Sequence, residues 1–128
     1  MGGIRPRVDT RTKILTVEAA ARIPDRHVVL VTGTFDIVRA GHIRDLNQLP
    51  PGKVIAAVLP AAVDFLPHSA RCEVVAALRM VDYVVAADPD AVDHLIQALQ
   101  PAAVVRLEAV DALRARHLIE HVRRVHNR

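Results

Sequence analysis

His27–Leu46 reads HVVLVTGTFDIVRAGHIRDL, and the folding of this stretch decides how the rest of the chain is read. Val28 to Val31 is an aliphatic run without polar alternation, the pattern of a strand buried on both faces. It breaks at Thr32-Gly33-Thr34, and from Ile37 onward, through Ala40-Gly41-His42, the apolar spacing turns helical. The stretch therefore predicts a buried strand, a tight loop and a helix N-terminus in succession. The first N–H groups of a helix have no partner within it, and the helix dipole places partial positive charge there. A phosphate arriving beside Gly41 and His42 meets donors already aimed at it. Gly33 and Gly41 carry no Cβ to hold such a ligand away.

Thr34-Phe35-Asp36-Ile37-Val38-Arg39-Ala40-Gly41-His42 resembles the signature of the cytidylyltransferase-like nucleotidyltransferases, in which a strand ends in a T/G-x-F-D segment leading into His-x-Gly-His. Lys13-Ile14-Leu15-Thr16 before it, and Arg71 with Ala77-Leu78-Arg79-Met80-Val81-Asp82-Tyr83-Val84 after it, are similar to the adenylyltransferase domain of ADP-heptose synthase, a sugar-phosphate nucleotidyltransferase. The resemblance runs from Lys13 to about Val105. It implies a Rossmann-like parallel α/β sheet with helices on both faces, a single cytidylyltransferase-like domain over 13–128 behind a loose N-terminal arm over 1–12, and a homodimer.

The same resemblance implies a chemistry. An oxygen of a sugar or polyol phosphate attacks the α-phosphorus of ATP or CTP, pyrophosphate leaves, and Mg²⁺ rides on the triphosphate; the protein aligns the reactants and stabilises phosphate charge. In that scheme His42 is the catalytic donor to the α-phosphate or bridging oxygen. The turn Gly33, Thr34, Phe35 and Asp36 holds the nucleotide, Gly41 lets phosphate approach, and Arg71 holds nucleotide or substrate phosphate.

The chain departs from this pattern in four places. Arg39 stands where the first histidine of the motif belongs, and Pro60-Ala61-Ala62 replaces a polar Asn/Ser-Asp pair after the second strand. Arg106-Leu107-Glu108 replaces a lysine-glycine segment, and Arg114-Ala115-Arg116-His117 occupies the place of a Ser/Thr loop before the final helix. Two expectations of different class follow. In one, Arg39, Arg106 and Arg116 take over phosphate binding in a working nucleotidyltransferase. In the other, which the residues favour, the fold is kept as a nucleotide-binding, scaffolding or regulatory protein with catalysis weakened or lost.

Composition bounds both expectations. The chain has 128 residues, enough for one ordinary core, and 52% hydrophobic residues with only two Phe, one Tyr and no Trp, so that core is aliphatic. The single Cys72 excludes an internal disulfide, and no apolar run has the form of a signal peptide or membrane span, which together predict a cytoplasmic protein without membrane association. Net charge is +3, with Arg and His crowded at the two ends. Without aromatic platforms or a recognisable module, those charges read as solvated faces rather than a nucleic-acid surface.

In chain order, Thr16 caps a short helix stopped by Pro24, and His42 to Leu49 forms a helix whose Ile43 and Leu46 face the sheet. Pro50-Pro51-Gly52 ends it before the strand 53–59. Asp64 reads as a surface carboxylate. Arg71 to Met80 is a helix with Val74, Val75 and Leu78 as its apolar stripe, followed by the strand 81–86, in which Asp82 is structural. Cys72 reads as an inert buried thiol. Asp88-Pro89-Asp90 caps a helix over Ala91–Leu99, the fourth strand covers 102–106, and a last helix begins at Ala109. His117 and His121 share a face of that helix and His126 follows, but Glu120 is not placed as in a zinc-binding H-E-x-x-H motif, so no protein-bound metal is expected.

Overall fold

A computed structural model describes residues 9–36, 40–61 and 66–108. Aliphatic sequence becomes sheet where the run is long enough to be covered on both sides. Val28–Gly33 (β2) is buried along its whole length, and Lys53–Val58 (β3) is buried after its first residue. Tyr83–Ala86 (β4) and Ala103–Arg106 (β5) are shorter. An edge strand not anticipated from the sequence, Ile14–Leu15 (β1), pairs with Val84 and Val85. All pairings are parallel, in the order β1-β4-β3-β2-β5.

Among the described residues, four α-helices lie between these strands: Val17–Ala20 (α1), Ala40–Asn47 (α2), His68–Ala76 (α3) and Pro89–Leu99 (α4). They divide between the two faces of the sheet, as the packing shows. Leu46 of α2 and Cys72, Val75 and Ala76 of α3 join Val29, Val31, Val54, Ala56 and Val58 in one core layer. Ala20 of α1 and Val92 and Leu95 of α4 join Val28, Leu30, Ile55 and Ala57 in the other. The expected Rossmann-like α/β domain with both faces covered is therefore present.

Local signals account for most boundaries. Thr16 caps α1 by accepting from the Ala19 N–H at 3.1 Å, and Asp88 caps α4 by accepting from Ala91 at 2.7 Å, with Pro89 at the first turn. Gln100 closes α4 in the left-handed region, φ 44°, its N–H bonded to the Ile96 carbonyl at 2.9 Å. Gly52, at φ 150°, sits where an added Cβ would lie 2.7 Å from the His27 carbonyl oxygen, the atom that accepts from the Lys53 N–H. Asp82 is structural, as expected: its Oδ2 accepts from the Val54 N–H at 2.8 Å, tying the entrance of β4 to β3.

Some expectations are corrected. Helix α3 begins three residues before Arg71 and ends at Ala76, and its buried face is Cys72, Val75 and Ala76, while Val74 is exposed. Ile43 is likewise exposed. The inner face of α2 runs through His42 and Leu46, one turn apart, because His42 turns toward the buried Phe35 ring, with ring centroids at 6.0 Å. The strand expected over 81–86 is β4, and it starts at Tyr83. Lys13 reaches across to donate to the carbonyls of Leu78 and Val81 at 3.2 and 2.9 Å, just past the end of α3. Asp64 and the helix expected from Ala109 onward lie outside the described residues.

Candidate functional site

The strand order places a topological switch point beside β2. From β2 the chain winds through α2, β3 and α3 to β4 along one side, then crosses under α4 to lay β5 on the opposite side of β2. In open parallel sheets the crevice at the carboxyl ends of the two strands flanking such a reversal is where ligands bind. Here those ends are Gly33-Thr34-Phe35-Asp36 after β2 and Leu107-Glu108 after β5.

On the β2 side the turn is held tightly. Phe35 is fully buried and has φ 51°, a left-handed conformation uncommon outside glycine. Its ring neighbours His42, which is 4% exposed in the first turn of α2. Asp36 Oδ1 accepts from the Leu66 N–H at 3.0 Å, across 30 residues of sequence. Gly33 itself closes the ladder, its carbonyl accepting from the Leu59 N–H at 2.8 Å.

Arg71 is buried, at 1% exposure, and its guanidinium faces inward. Nη1 donates to the carbonyls of Thr34 at 2.6 Å and Leu59 at 2.7 Å, and Nε donates to that of Leu66 at 3.2 Å. One cation thus grips the turn after β2 and two points of the segment after β3. Nearby, His68 Nε2 lies 2.6 Å from the Val58 carbonyl, at the end of β3. Burial pushes the neighbouring Cys72 thiol above its ordinary pKa, the Arg71 charge opposing that shift more weakly.

The β5 side has a different character. Leu107 N–H continues the ladder to the Thr32 carbonyl at 2.7 Å, and the next residue, Glu108, accepts from the buried Thr32 hydroxyl through Oε2 at 2.7 Å. Arg106 is exposed, its Nη1 3.9 Å from Glu108 Oε1. A carboxylate therefore stands where the resemblance implies a lysine-glycine phosphate contact. The Thr32–Glu108 pair was not expected from the sequence, where its one signal is the lone hydroxyl of Thr32 in an otherwise aliphatic strand. The roles of His68 and of the two backbone groups of Leu66 carried no sequence signal, and only the fold brings them to Val58, Asp36 and Arg71.

Of the residues singled out from the sequence, the structure gathers Gly33, Thr34, Phe35, Asp36, Gly41 and His42 around the β2–α2 junction and places Arg106 across the switch point. Arg71 lies beneath the turn with Nη1 and Nε on backbone carbonyls. Arg39 and Arg116 are outside the described residues, as are His117, His121 and His126. Among the described residues no three His, Cys, Asp or Glu side chains gather as a metal site, and no helix is long and apolar enough to cross a membrane.

The chain is similar to the bifunctional protein HldE. It is 32% identical over 120 residues, 80% of this chain, to that protein from Escherichia coli O1:K1, from Escherichia coli strain K12 / DH10B and from Shigella boydii serotype 18. The chain spans about a quarter of the length of these relatives, the matched part being 25% of each. No family model matches it.

Proposed function

We propose that this chain is a nucleotide-binding domain of nucleotidyltransferase ancestry, related to the adenylyltransferase part of ADP-heptose synthase, in which nucleotidyl transfer to a sugar or polyol phosphate is weakened or lost. The observation that carries the reading is the switch-point cleft with His42 in the first turn of α2 beside the β2 turn. Oriented N–H groups, the positive end of a helix and an imidazole suit phosphate of ATP or CTP. Mg²⁺ enters with the triphosphate as its counter-ion, since a nucleotide-borne ion needs no cage of protein carboxylates.

Two features favour binding over turnover. Nucleotidyl transfer needs several cations or N–H donors converging on phosphate oxygens, each worth about 3 kcal/mol in the transition state. Arg71, which the resemblance assigns to phosphate, directs Nη1 and Nε to backbone carbonyls, and Glu108 brings negative charge to the β5 end of the cleft. The proposal leaves Arg39, Arg106 and Arg116 as phosphate ligands of the retained site, and the homodimer as its assembly.

Calorimetric titration with ATP and CTP in Mg²⁺, run beside a pyrophosphate-release assay over a panel of sugar and polyol phosphates, tests this reading. The expected result is binding at a Kd of about 100 µM or weaker, about −5.5 kcal/mol, without steady turnover. Pyrophosphate release at about 1 s⁻¹ or faster refutes the loss of catalysis. Absence of binding by either nucleotide refutes the site. Arg39→Ala is expected to weaken binding by about 1.5–3 kcal/mol, the worth of a charge-assisted hydrogen bond.

A further inference from the structure

A buried guanidinium is expensive to desolvate, so the groups it contacts show what it is there to do. Arg71 links segments far apart in sequence: the Thr34 carbonyl in the turn after β2, and the Leu59 and Leu66 carbonyls on either side of the β3–α3 connection. Leu66 is held a second time, through its N–H, by Asp36 of that same turn. Between Thr34 and Asp36 lies Phe35 at φ 51°, a backbone state that a bulky residue keeps only where its surroundings hold it.

We propose that Arg71 is a positioning residue, which ties the 34–36 turn and the end of the β3–α3 connection into one body and holds the left-handed Phe35, rather than a ligand to phosphate. The reason is geometric. A peptide group is planar and trans, so drawing the Thr34 carbonyl onto Nη1 fixes the whole plane that leads into Phe35, including the opposite direction of its N–H. The orientation of Phe35 in turn sets the ring against which His42 packs. Lysine substitutes only in part: its ammonium can follow Nη1, but it carries no second, rigidly placed donor where Nε reaches the Leu66 carbonyl. The effect of Arg71 on a bound nucleotide rests on the proposed function, whereas the tie between the two segments does not.

The test uses Arg71→Lys in the full chain, with two readouts. Amide hydrogen exchange is expected to show Thr34, Phe35, Asp36 and Leu66 losing protection together, by about tenfold or more, the factor corresponding to one charge-assisted hydrogen bond. Nucleotide titration of Arg71→Lys and of Arg71→Gln, which removes the charge, between about 50 and 300 mM NaCl is expected to show weaker binding with an unchanged salt dependence in both, because no charge has left the phosphate. A shallower salt dependence in Arg71→Gln makes Arg71 a phosphate ligand and overturns the proposal, as does faster exchange confined to α3 in Arg71→Lys. If the wild type binds no nucleotide, the proposed function fails while the exchange pattern still decides the tie. If Arg71→Lys does not fold, Asp36→Ala, which removes the acceptor of the Leu66 N–H, takes its place. Joint loosening of Leu66 with Thr34 and Phe35 supports the single body, and loosening of Leu66 alone refutes it.

Discussion

Replacing Gly52 by alanine tests whether the register of the two central strands is pinned at their amino ends. The added Cβ falls 2.7 Å from the His27 carbonyl oxygen and 3.3 Å from both the carbon of that carbonyl and Val29 Cγ2. Carbon and oxygen do not approach so closely without displacement, and this oxygen is not the loose end of a side chain. It accepts the Lys53 N–H at 2.7 Å, one residue before the ladder that runs from Val28 opposite Lys53 to Gly33 opposite Val58. Relief by moving the carbonyl therefore costs a hydrogen bond of about 1 kcal/mol. The backbone at φ 150° adds about 1–3 kcal/mol for a residue with a side chain. Together Gly52→Ala is expected to destabilise by about 2–4 kcal/mol, which for a domain of this size lowers Tm by roughly 6–20 °C. Urea denaturation and thermal melts followed by circular dichroism read this directly, with Lys53→Ala as a neighbouring change that leaves the turn intact. A Tm within about 2 °C of the wild type would refute the steric argument.

Asp82→Ala leaves the Val54 N–H without its acceptor at a buried position and is expected to cost about 1–3 kcal/mol in urea unfolding, with Asp82→Asn milder because it keeps an oxygen there. Gln100→Gly, which removes a side chain from a left-handed helix cap, is expected to stabilise by about 0.5–1 kcal/mol; a loss of stability in the same melts contradicts the assigned cap. Burial raises the Cys72 pKa, so its thiolate fraction near pH 8 is below that of a free thiol. A disulfide reagent should modify it slowly in the native protein and at an ordinary rate in urea. Equal rates in the two states would place Cys72 at the surface.

The two central strands were legible because Val28–Val31 and Val54–Val58 are aliphatic throughout, and only a strand covered on both faces asks for that composition. The caps at Thr16 and Asp88 were legible for a local reason, each bonding a residue three positions on. Strand β1 was not, since two apolar residues between Lys13 and Thr16 carry no period and become a strand only by pairing with β4. Helical faces were misjudged at Ile43 and Val74 because the start of α3 and the turning of His42 toward Phe35 depend on packing from other elements. The position of the cleft followed from strand, loop and helix in succession. The inward direction of Arg71 did not, because the carbonyls it reaches at Thr34, Leu59 and Leu66 belong to segments whose proximity exists only in the folded chain.

The order β1-β4-β3-β2-β5 also governs how this sheet assembles in time. Strands β2, β3 and β4 are consecutive in the chain and adjacent in the sheet, so each needs only one helical crossover to meet its neighbour. Both margins close over far longer loops, β1 waiting for β4 and β5 returning past two strands to reach β2. Loop-closure entropy favours pairing of β2, β3 and β4 first, so the two margins are expected to close later, an order that mutational analysis of folding rates would check. The cleft between β2 and β5 is consequently among the last features to be completed, and the Thr32–Glu108 hydrogen bond across it marks the arrival of the fifth strand. During synthesis the β2–α2 turn emerges well before the strand that walls its other side.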